Sequence, residues 1–180
     1  MLSSLLLPVL LSGVALFFAS FLSWMVLQFH KQDWIKLEKE DDVMAALRNA
    51  GVARGSYMIP GCNDPKEMQS DEYKQKFEAG PVGILTIYGK LSMGRNLALT
   101  FLYFLVVSFC LAYLAQLHIP AGADFMVVFR FVATAGLMTF LAAMVQHAIW
   151  FHNRIVGHIL ESVLYAAIVA AIFGAMWPAA

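Results

Sequence analysis

The chain has 180 residues, 61 % of them hydrophobic and 13 % charged, against roughly 45–50 % and ~25 % in ordinary soluble domains. Twelve basic residues offset twelve acidic ones, so there is no cationic excess to attract nucleic acid and no acidic block to form a solvating tail. These values exclude an ordinary soluble domain and point to an integral membrane protein.

The first predicted element is an apolar helix over Leu5–Phe29, longer than the roughly 20 residues a bilayer requires. It has no positive amino-terminal region and no A-x-A site, and its apolar core exceeds that of a signal peptide, so it is expected to stay in the mature chain. Ala15, Ala19 and Ser23 form a weak small-residue stripe along it.

A polar segment follows, residues 30–92. "EDDVMAALRNAG" has acidic residues at its start, an apolar stripe at Val43, Ala46 and Leu47, and Gly51 as a stop, the pattern of a short amphipathic helix. "NDPKEMQSDEYKQKFEAG" places Pro65 after Asp64, offers Ser70 as a second N-cap and closes on Gly80, which predicts further helix. "GPVGILTIYGK" is β-branched but short and solitary, so it is expected to run along the membrane interface rather than join a sheet. A segment this small buries little surface of its own.

Three more apolar helices are predicted at Asn96–Gln116, Asp124–Gln146 and Ile159–Trp177. None of the four apolar stretches alternates with period two, and open backbone groups are not tolerated in lipid, so helices are the economical assignment. The expected fold is an all-α integral membrane protein with four transmembrane helices and a small helical cytoplasmic segment between helices one and two. Its divisions are 1–29, 30–92 and 93–180.

Orientation follows from lysine and arginine. Ten of the twelve lie between the first two helices, including Lys31, Lys36, Lys90 and Arg95, and Arg154 sits in the connection before the last helix. The remaining tails and turn carry none, so the positive-inside rule predicts N-out and C-out. Trp24, Trp34, Trp150 and Trp177 lie near helix ends, as interfacial anchors do. In the last helix Ala166, Ala170 and Gly174 recur every fourth residue, a spacing that lets helix backbones approach closely.

Two charges fall inside the apolar helices. Glu161 lies about one turn into helix four, where Arg95, Lys90, Arg154 or His158 could balance it. Arg130 lies six residues beyond Asp124, roughly 9 Å inside the opposite boundary, too far from Glu161 to pair with it. Its expected neighbours, Ser12, Ser108, Tyr113 and the small-residue end of helix four, include no anion. An unpaired arginine at mid-helix costs about 2.5–3.5 kcal/mol on insertion scales, and less where the side chain snorkels outward.

Four of the five histidines, His30, His147, His152 and His158, fall near one boundary. A metal or haem site at His30, His147 and His158, completed by Cys62 or Glu161, would require those side chains to converge. Apart from that alternative no cofactor is expected. No H-E-x-x-H, Walker, nucleophile-elbow or dinucleotide pattern occurs, and the balance leans away from an enzyme.

The stretches "EMQSDEYKQKFEAGPVGILTIYG", "FLYFLVVSFCLAYLA", "VVFRFVATA", "AIW" and "YAAIVAAIFGAMWP" resemble a family of uncharacterised bacterial four-helix integral membrane proteins. The likeness covers nearly the whole chain. It implies a bacterial inner membrane and brings no catalytic residue or ligand. Where that family tends to have an aspartate and a glycine before the last helix's tyrosine, this chain has Glu161 and Ser162 before Tyr165. Three functions follow as expectations. The first is a non-enzymatic, self-associating or accessory subunit of a membrane complex, with the lipid bilayer and a second copy or larger assembly as partners. The second is a small transporter or channel using Arg130 and Glu161, and the third a metal- or haem-binding redox protein.

Overall fold

A computed structural model describes residues 3–180. The chain divides into two units, residues 3–35 with 92–180, and Lys36–Leu91. The division falls at Lys36 rather than at His30, because the stretch after the first helix folds back onto its own bundle.

The larger unit contains α1 (Leu6–Phe21), which continues as a π-helical turn over Leu22–Val26, then α4 (Met93–His118), α5 (Phe125–Phe151) and α6 (Val156–Ala175). With their continuations these are four helices long and apolar enough to cross a membrane. They overlap the four apolar stretches of the sequence, with α4 and α5 extending further at both ends or beyond the last turn. α6 packs most extensively on α5 and also touches α1, which in turn packs on α4. α6 is therefore the inner helix, and α5 is the one its neighbours cover least.

The core is a single cluster of apolar side chains in which Leu16, Leu111, Val128, Val132, Val169 and Phe173 are fully buried. The small-residue face of α6 is used within this chain. Ala166 and Ala170 are buried, and a methyl group placed on Gly136 of α5 would come within 3.4 Å of the Ala166 Cα. At the other end a methyl group on Gly174 would meet Phe125 Cδ2 at 2.7 Å and Phe125 O at 3.2 Å. Gly174→Ala is accordingly expected to destabilise the bundle by about 1–3 kcal/mol through overpacking, read as a lower unfolding midpoint in mild detergent; an unchanged midpoint would show that the Phe125 ring simply moves aside.

The smaller unit contains α2 (Glu40–Asn49), β1 (Gly55–Ile59), α3 (Asp71–Ala79) and β2 (Gly83–Ile87). The Ser70 side chain accepts the Tyr73 N–H at 3.2 Å to start α3, and Gly80 ends it at φ +61°, a conformation that glycine adopts without steric cost. On α3 the Lys76 ammonium donates to Glu72 at 2.6 Å and holds that carboxyl below its ordinary range. One expectation is corrected here. "GPVGILTIYGK" is not a solitary interfacial segment, since β2 pairs antiparallel with β1 from Gly55↔Ile87 to Ile59↔Gly83. The unit is thus mixed rather than all-helical. Its partner strand carries no signal in the sequence because the ribbon covers no core: every β1 residue is exposed, so the alternation that betrays a half-buried strand is absent.

Candidate metal centre

The site is built where α1 ends and α6 begins. In the π-helical turn Leu27 N–H donates to Leu22 O at 2.8 Å and Phe29 N–H to Ser23 O at 3.1 Å, a widened ladder of the kind found at functional positions. Gln28 then takes a left-handed conformation, φ +52°, which costs a non-glycine residue roughly 1–2 kcal/mol. The chain reverses there, and the imidazole of His30 is carried back beneath its own helix. It stacks on Trp24 with ring centroids 4.1 Å apart and planes at 16°, and is only 3 % exposed. Trp24, expected as a simple interfacial anchor, is one wall of the site.

Close approach to α6 depends on Gly157. A methyl group there would lie 2.8 Å from Phe29 O and 3.0 Å from His30 Nδ1. From the next residue on, α6 presents His158, Glu161 and Tyr165, spaced i, i+3 and i+7 and so on one face.

His30 has a carboxylate at each nitrogen. Nδ1 donates to Asp33 Oδ2 at 2.7 Å and Nε2 lies 3.2 Å from Glu161 Oε2. The other Glu161 oxygen accepts the Tyr165 hydroxyl at 2.5 Å. Asp33 is in turn faced by Arg154, Nε to Oδ1 at 3.8 Å, while Arg154 Nη2 donates to Gln32 at 2.6 Å. The His158 ring sits against that of His30, centroids 4.6 Å apart. Ligand atoms of His30, His158 and Glu161 all lie within 4.8 Å of one another.

Nε2 and the Glu161 oxygen, 3.2 Å apart, need a proton or a metal ion between them. A proton can serve, making one hydrogen bond between the two. A metal ion can serve equally, with His30 keeping only its Nδ1 proton for Asp33. Donors bound to one ion at about 2.0–2.2 Å sit roughly 3–4 Å apart, which is the spacing His30 and Glu161 already have. The surroundings match what metal ligands require at two of the three: His30 is oriented through its second polar atom by Asp33, and Glu161 by Tyr165. Beside the acid lies a cavity of about 200 Å³ whose wall includes Ser20, Thr100, Tyr103, His158, Glu161 and Tyr165.

The residues expected from sequence are sorted accordingly. Of the proposed Glu161 partners, His158 is adjacent, Arg154 is directed to Asp33 and Gln32 instead, and no Arg95 contact to Glu161 occurs among the described residues. The acid's direct partners are His30 and Tyr165, so it pins α6 to the end of α1 rather than to α4. Of the proposed metal ligands, His30 and His158 converge and Glu161 completes the set. His147 does not join them: Asn153 Nδ2 donates to its Nδ1 at 2.9 Å and its ring packs on Phe151. Cys62 is a free, exposed thiol of the smaller unit, outside the one three-ligand group found among the described residues.

Arg130 is exposed near the opposite end of the bundle, in a groove walled by His118, Phe131, Thr134, Ala135 and Met138. The expected neighbours Ser12 and Ser108 are instead buried, their hydroxyls without a hydrogen-bond partner. Asp33, Trp24 and Gly157 were not anticipated. The local signals were present in the pairs His30/Asp33, His158/Glu161 and Glu161/Tyr165, three or four residues apart. No family model, curated protein or solved structure matches this chain, so the function of the site is read from its own geometry.

Proposed function

We propose that this is a multi-pass integral membrane protein whose working centre is a divalent transition-metal site formed by His30, His158 and Glu161. The observation that carries the reading is the convergence of those three buried or half-buried ligands within 4.8 Å, with Asp33 and Tyr165 orienting two of them. The four apolar helices cross the bilayer, N-out and C-out, which puts the site at the cytoplasmic end of the bundle. The bacterial inner membrane is the proposed location.

Two imidazoles and one carboxylate suit iron, zinc, manganese, nickel or copper rather than calcium or magnesium. Three protein donors also leave coordination positions open, unlike the closed tetrahedron of a structural zinc site. Bound there, the ion would supply Lewis-acid or redox chemistry to a small ligand in the adjoining cavity. His30, His158 and Glu161 would hold it, Asp33 would fix the His30 tautomer and ring orientation, and Tyr165 would hold the carboxylate.

Elemental analysis of the full chain, purified in mild detergent and dialysed free of loose metal, tests this. About one transition-metal ion per chain is expected after loading with zinc, ferrous iron or cobalt(II). His158→Ala is expected to lose it while far-UV circular dichroism stays unchanged. A folded wild type that binds none of the three ions ends the metal reading and leaves a proton as the cation between His30 and Glu161.

A second reading, the self-associating or accessory subunit, is favoured by α5, of whose apolar stretch 17 % is buried against 44 % for α6. Native mass measurement in detergent checks it, a lone monomer under gentle extraction being the outcome that removes it.

A further inference from the structure

The groove around Arg130 is separate from the metal centre and has its own chemistry. It lies between the C-terminal end of α4 and the N-terminal half of α5, and has a volume of about 640 Å³. Its polar groups gather toward one end. His118 is the last residue of α4, and Arg130 stands five residues inside the start of α5, about 8 Å along the helix. Thr134 adds no free donor, because its hydroxyl is given to the Arg130 carbonyl oxygen at 2.8 Å. Apart from Thr134 the wall from Arg130 inward is apolar, running through Phe131 and Ala135 to Met138.

From Val127 to Met138 the groove follows α5 for about 16 Å at 1.5 Å per residue. One leaflet of a roughly 30 Å hydrocarbon core is about 15 Å deep. The groove therefore runs about the depth of one leaflet, with a guanidinium near its outer end, about 12 Å of wall from Arg130 to Met138 for the first part of an acyl chain, and no carboxylate in its wall. The Arg130 side chain makes no ion pair or side-chain hydrogen bond among the described residues, and the guanidinium, with five donors in a fixed fork, suits a phosphate geometrically.

We propose that this groove is a binding site for an anionic phospholipid of the leaflet facing the α4–α5 turn, its phosphate on Arg130 beside His118 and one acyl chain along Phe131, Ala135 and Met138. Charge complementarity and the match between groove and leaflet favour a lipid over an acidic side chain from a second protein, which would satisfy Arg130 but leave the apolar length without purpose. The inference rests on the four helices crossing a bilayer, and does not depend on the metal.

The test is native mass spectrometry of the full chain in mild detergent, titrated with phosphatidylglycerol and, separately, phosphatidylcholine of the same acyl composition. The wild type is expected to retain the anionic lipid about fivefold more tightly, the effect of one cationic contact at a membrane surface. Arg130→Gln should abolish the preference and Arg130→Lys should restore part of it. A preference that survives in Arg130→Gln overturns the proposal, as does a wild type with none. A wild type without lipid preference that cross-links through residue 130 to a second protein assigns the groove to that partner instead. Alkaline-carbonate extraction separates the two levels of failure: a chain released from membranes fails the membrane reading itself, whereas an inserted chain without lipid preference fails this proposal alone.

Discussion

Glu161→Ala is expected to destabilise the bundle by about 2–5 kcal/mol, the cost of depriving two buried hydrogen-bonding groups of a shared partner at about 1–3 kcal/mol each. The loss arises because His30 Nε2 and the Tyr165 hydroxyl, both in buried residues, lose the carboxylate they share, leaving His30 with Asp33 and Tyr165 with Ser20 as side-chain partners. Glu161→Gln separates structure from chemistry. The amide can still accept from Tyr165, so stability should fall much less, yet a neutral amide is a poor ligand for a transition metal and uptake should be lost. Denaturant unfolding in mild detergent, paired with elemental analysis, measures both. Wild-type stability in Glu161→Ala would show that the His30–Glu161–Tyr165 network does not hold α1 to α6.

Gly157→Ala is expected to act in the opposite direction from what helix propensity alone dictates. Alanine in place of an interior helical glycine favours a helix by up to about 1 kcal/mol, and Gly157 lies in the first turn of α6. The added methyl would, however, sit 2.8 Å from the Phe29 carbonyl oxygen and 3.0 Å from His30 Nδ1. Backbone cannot yield as a flexible side chain does, so the reversal at Gln28 must open, at a cost of about 1–3 kcal/mol. His30 would be displaced without any ionisable group having been changed. A weakened affinity for cobalt(II), followed by its absorption spectrum, is the expected readout. A stabilised protein with unaltered metal uptake would show that the close approach at Gly157 is not what seats His30.

The site was partly legible in the sequence. An acid one turn into an apolar helix demands a partner, and the demand for Glu161 was plain. The partner was not: His30 is remote in sequence and was not among the candidates Arg95, Lys90, Arg154 and His158, and Arg154 turns instead to Asp33 and Gln32. Four histidines near one boundary suggested a ligand set, but level along the membrane axis says nothing about direction around a helix. His147 and His158 illustrate this, since one faces Asn153 and Phe151 and the other faces His30. For the smaller unit, caps at Ser70 and Gly80 are local and readable, whereas β1 and β2 pair across an intervening helix, and no burial pattern marks them in advance.

What the sequence determines alone is what depends on neighbouring residues: four stretches apolar enough to cross a membrane, the lysine and arginine asymmetry, the helix caps and the small-residue face of α6. Each is a sum over a short window, so no partner element needs to be known. The tertiary structure decides which side chains meet. A widened last turn and a left-handed Gln28 bring His30 back beneath α1, and the missing side chain at Gly157 lets α6 come close enough for Glu161 to reach it. Neither event has a hydropathic signature, because both concern the direction of a chain reversal and a clearance of a few ångströms between helices more than 100 residues apart in sequence.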